Sequence, residues 1–67
     1  MKPNDKINLE VTAEQVGTEY RVQVNEHPGC DTKAYSRTNI ARVARDCVAR
    51  VEGLPAKKLV VTRVEFI

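Results

Sequence analysis

Three groups of side chains have the types and spacing that could support chemistry. His27 and Cys30 stand in a His-x-x-Cys spacing, and an imidazole beside a thiol can raise its thiolate fraction and make it a nucleophile. A third, orienting group at a useful spacing is missing, and a chain of 67 residues leaves little room for a water-excluding cleft. Zinc would want four ligands in paired spacing, whereas His27, Cys30 and Cys47 supply three. The expectation is therefore no catalytic residue, no metal and no cofactor, with Cys30 packed as a small apolar side chain in a turn.

The second group, Lys33, Tyr35 and Arg37, interleaves two cations with a ring that could stack on a base while a phosphate is held. The third is a run of helical arginines, Arg42, Arg45 and Arg50, a basic face of the kind that neutralises phosphates. Asp46 lies four residues from both Arg42 and Arg50, so one carboxylate can pair with each guanidinium along a solvated surface. Eleven Lys plus Arg against nine Asp plus Glu give a formal charge of only +2, and Tyr20, Tyr35 and Phe66 are the only aromatics. That is a thin footprint for a dedicated nucleic-acid binder. No glycine-rich phosphate loop or calcium-type carboxylate loop is present.

These residues need elements to hold them. Ile7, Leu9, Val11 and Ala13 alternate with Asn8, Glu10 and Thr12, the period of a strand with one buried face. Tyr20, Val22 and Val24 repeat the pattern, and Gly17 between the two runs predicts a hairpin. His27-Pro28-Gly29 is expected to end the second strand. From about Ser36 to Glu52 a helical period gathers Ile40, Val43, Ala44, Cys47, Val48 and Val51 on one side. Ser36 or Thr38 is expected to cap its start, and Gly53 with Pro55 to end it. The last strand, Leu59 to Ile67, is read with Val60, Thr62, Val64 and Phe66 under the helix. Leu59, Val61, Arg63 and Glu65 then fall on the wet face.

The predicted fold is a single α+β domain over residues 1–67 with a flexible tail at 1–5. It has a three-stranded, mainly antiparallel sheet in the order β-β-α-β, one helix on one face, and space for a short fourth strand between Asp31 and Tyr35. A composition 42% hydrophobic and 30% charged fits a folded domain. The sequence contains no apolar run of membrane-spanning length and no signal-peptide pattern, so the expected location is cytoplasmic, with both cysteines as thiols and no membrane partner.

The stretch from Tyr20 to Cys30, ending in Pro28-Gly29-Cys30, together with the helix bearing Ile40-Ala41 and Val43-Ala44, resembles the core of HicB-like antitoxins. The resemblance covers about half the chain. It implies a protein that neutralises a small messenger-RNA-cleaving toxin by covering it. The chain departs from that pattern in its mildly basic charge, in a longer turn and in having no room for the DNA-binding module that many members add.

The function expected from the sequence is a non-enzymatic protein-binding module that masks a partner, as a HicB-like neutraliser or as a phage-type inhibitor of host defence of the anti-CRISPR kind. The alternative is a nucleic-acid binder using Lys33, Tyr35, Arg37, Arg42 and Arg45. Leu59, Val61 and Arg63 are the expected association surface, for a protein partner or a homodimer, because two aliphatics on a wet sheet face beside an open edge invite pairing.

Overall fold

A computed structural model of the chain describes residues 6–67, and the tail expected at 1–5 lies outside them. Strand β1 (Ile7–Val16) and strand β2 (Glu19–Val24) form the predicted hairpin. It runs further than the hydrophobic alternation indicates, up to the pair Val16 and Glu19. Gly17 makes the two-residue turn possible, since its φ of 65° is one that a side-chain-bearing residue rarely adopts.

The turn after β2 falls at Asn25-Glu26, two residues before the expected break, and both residues are tied back to β1. The Asn25 N–H donates to the Glu10 carbonyl at 2.8 Å, the Thr12 hydroxyl donates to Asn25 Oδ1 at 2.9 Å, and Glu26 Oε1 accepts from the Glu10 N–H at 3.2 Å. Strand β3 (His27–Ala34) then passes straight through Pro28 and Gly29. The predicted short strand is thus a full edge strand of eight residues. Proline is tolerated because the register jumps there: Gln23 pairs with Asp31 but Val24 with His27, so Pro28, Gly29 and Cys30 have no ladder partners on β2.

A 3₁₀ turn (Arg37–Asn39) leads into helix α1 (Ile40–Glu52), which starts later than predicted. Neither Ser36 nor Thr38 caps it, because their hydroxyls bond to each other at 3.0 Å. Gly53 ends it as expected at φ 68°, and the Leu54 N–H closes onto the Ala49 carbonyl at 3.0 Å. Ile40, Ala44, Cys47 and Val48 are buried against Leu9, Val11, Ala13, Val22, Val24, Cys30 and Ala34. Val51, on the same arc, is 54% exposed at the last turn, where the helix meets the start of β3 through Glu52 and His27.

After a second 3₁₀ turn (Ala56–Lys58), β4 (Leu59–Phe66) returns parallel to β1. The sheet is four-stranded and mixed, in the order β3-β2-β1-β4. The expected face assignment of β4 is wrong for its first half. Leu59 pairs with Ile7 and Val61 with Leu9, which puts both on the helix side, and Leu59 is 3% exposed. Thr62 is then an extra residue: the next pair is Arg63 with Glu10, followed by Val64 with Val11 and Phe66 with Ala13. This bulge reverses the alternation once, so Leu59, Val61, Val64 and Phe66 all take the helix side and Val60 alone among the aliphatics of β4 takes the other. The Thr62 hydroxyl donates to the Leu9 carbonyl at 3.3 Å and holds the bulge against β1.

Deleting Thr62 should therefore put either the Leu59/Val61 pair or the Val64/Phe66 pair on the wrong face. A domain of this size has roughly 3 to 10 kcal/mol of stability, and expelling two apolar side chains costs about 3 to 6 of it. We expect urea unfolding to show the deletion variant unfolded or nearly so and Thr62→Val within about 1.5 kcal/mol of the parent. Equal stabilities for the two would refute the bulge.

Candidate functional site

His27 and Cys30 each meet a side chain from the helix. His27 directs Nδ1 at Glu52 Oε2, 3.2 Å away, across the junction of β3 with the helix end. Cys30 is buried in the core beside Cys47, and both are free thiols. Burial first, then the neighbouring Cys47 thiol, pushes the Cys30 pKa from 9.0 up to about 11, the direction opposite to an activated nucleophile. Among the described residues no group of three or more His, Cys, Asp and Glu could hold a metal ion.

Lys33 is on the sheet face away from the helix, with Nζ 3.5 Å from Glu19 Oε1. Arg42 is on the solvent side of α1, and Arg45 is half-buried, its Nε enclosed without a hydrogen-bond partner. Lys33 and the helical arginines thus face opposite sides of the molecule, so a single nucleic-acid strand cannot lie along all of them. No ion pair among the described residues joins Arg42, Asp46 and Arg50, whose expected pairing is not formed.

The open sheet face is polar, as its alternation requires. It carries Asn8, Glu10, Glu14, Arg21, Gln23 and Asp31, and Arg21 holds Asp31 at 2.9 Å through a two-pronged contact. The hydrogen bond and then the charge of Arg21 hold the Asp31 carboxyl below its ordinary range. A shallow cleft of about 260 Å³ lies here between Val16, Glu19, Tyr20, Arg21, Asp31 and Lys33. Its charged walls are already paired with each other.

A different surface stands out at the far end of the sheet, beyond the start of the helix. Tyr20 from β2 and Phe66 from β4 meet edge to face with ring centroids 6.2 Å apart, and the Arg37 guanidinium lies 4.7 Å from the Phe66 centroid. Phe66 is still 46% exposed, Tyr35 71%, and Ile67, which follows β4, 72%. A partly exposed aromatic pair roofed by an arginine has the composition of an interaction hot spot. Arg37 and Tyr35 were legible in the sequence as candidates. Tyr20 and Phe66 were not, although two of the three aromatics at strand ends were a signal.

No family model, curated protein or solved structure matches the chain.

Because the folded state holds the Cys30 proton more tightly than the unfolded chain, its contribution to stability is full below the ordinary pKa of 9.0 and is lost as pH rises to about 11. Cys30→Ala should flatten that part of the stability–pH curve. At pH 8 the native thiols should react with an aromatic disulfide reagent at least about tenfold more slowly than the urea-unfolded chain. Equal rates would show Cys30 and Cys47 to be accessible.

Proposed function

We propose that this chain is a non-enzymatic protein-binding module that masks its partner, either as a HicB-like toxin neutraliser or as a phage-type inhibitor of host defence. The observation that carries this reading is the cluster of Tyr20, Phe66 and Arg37 at the uncovered end of the sheet. An exposed aromatic pair is worth most when a partner desolvates it, and a blocking protein needs only to bind. The antitoxin-like resemblance around Pro28-Gly29-Cys30 motivates the first of these readings and implies a location in the cytoplasm with its toxin.

The nucleic-acid alternative keeps Tyr35 and Arg37, which are exposed, but its Lys33 lies on the side of the molecule away from the helical arginines. Salt separates the two. Six or more phosphate contacts would weaken binding about a thousandfold between 50 and 200 mM salt, whereas a hot spot of stacked apolar groups weakens only modestly.

Capture of a protein from native lysate should survive nuclease treatment and this change in salt, and it should be lost in Phe66→Asp with the fold retained by circular dichroism. Capture that disappears with nuclease, or that Phe66→Asp leaves intact, would overturn the reading.

A further inference from the structure

β4 is an edge strand, with β1 on one side and no strand on the other among the described residues. Successive residues of a strand turn their N–H and C=O groups to opposite edges. The Ile67 N–H donates to the Ala13 carbonyl at 2.9 Å, so Ile67 and Glu65 face β1, and Val64 and Phe66 aim their backbone groups outward. Proteins usually blunt such an edge with proline, lysine or a covering loop. From Val64 to Phe66 β4 carries neither proline nor lysine.

The side chains along this edge are complementary to themselves. Arg63 and Glu65 flank Val64 on the polar face, and Val64 and Phe66 lie on the helix face. We propose that the outer edge of β4 binds a second copy of this chain, antiparallel, about a two-fold axis at Val64. Each Val64 N–H then donates to the other copy's Val64 carbonyl. Arg63 lies opposite Glu65 of the second copy, twice, at the non-hydrogen-bonded positions where facing side chains approach most closely. Moving the axis by one residue in either direction puts Arg63 opposite Arg63 or Glu65 opposite Glu65, so charge selects this register over its neighbours. The product is a continuous eight-stranded sheet with both helices on one side and the half-buried Val64 of each copy directly opposite the other.

This interface rests on the edge and its charges, not on the reading of an outside partner. Sedimentation over a concentration series should show a dimer for the parent chain. Glu65→Arg should weaken it about tenfold or more, because both cross-strand pairs become repulsive. Arg63→Glu should act in the same direction, although it also sets a carboxylate opposite Glu10 in β1. Mixing the two weakened variants should restore association as a heterodimer, and the doubly exchanged chain, Arg63→Glu with Glu65→Arg, should dimerise again. Circular dichroism checks folding, and the Glu65→Arg arm stands alone if Arg63→Glu unfolds. Because Glu65→Arg leaves Tyr20, Phe66 and Arg37 in place, the two accounts can fail separately. A monomeric Glu65→Arg that still captures a protein after nuclease supports both; a parent chain that dimerises but captures no protein strikes only the masking role. A parent chain that stays monomeric up to about a millimolar, or a dimer unaffected by Glu65→Arg, would overturn the interface.

Discussion

One helix has to cover one face of a four-stranded sheet, and it is too short to do so. Thirteen residues of α-helix reach about 20 Å, whereas the ten residues of β1 reach about 33 Å. The helix is placed where it buries most, over Leu9, Val11, Val22, Val24 and Cys30. What lies beyond its first turn must be protected in another way. Arg37, just before the helix, lies over Phe66, and Tyr20 closes the other side of the ring. The cover is partial, and so the same shortage that limits the core leaves an aromatic surface at one end.

The second strand edge follows from the connection that the helix makes. β3 and β4 are both parallel to β1, so α1 runs back across the sheet and delivers β4 to the far edge. The first part of β4 joins the core through Leu59 and Val61, and its last part outruns the helix. The bulge at Thr62 reconciles these demands, since it lets apolar residues on both sides of it face the helix while Arg63 and Glu65 stay in water. An edge made this way keeps unpaired backbone groups beside residues of opposite charge. In the proposed dimer, charge alternation over three residues selects the register.

The sequence made some of these features legible and hid others for identifiable reasons. Strict alternation in β1 and β2, glycine at positions 17 and 53, and the apolar arc from Ile40 to Val48 each depend on local chemistry, and the hairpin and helix follow from them. The course of β3 did not follow, because Pro28 and Gly29 break a central strand but are tolerated at an edge, and position in the sheet is set by distant pairing. The bulge at Thr62 was hidden for a related reason. Read alone, Leu59 and Val61 share a phase with Arg63 and Glu65, and only the register against β1 shows the phase to be broken. Leu59 and Val61 face the helix for this reason, so the association expected through them is proposed instead at Val64 on the same strand. The His27–Cys30 spacing, by contrast, does not foretell the partners of either side chain, since Glu52 takes the imidazole and Cys47 lies beside the thiol.

Amide hydrogen exchange resolved by residue reads the outer edge of β4 directly. The Glu65 and Ile67 amides, which face β1, should be protected at every concentration. The Val64 amide should be protected in concentrated solution and exchange faster on dilution, in step with dissociation of the dimer. Rapid exchange at Val64 at all concentrations, with Glu65 and Ile67 protected throughout, would show that this edge remains in water and would contradict the account.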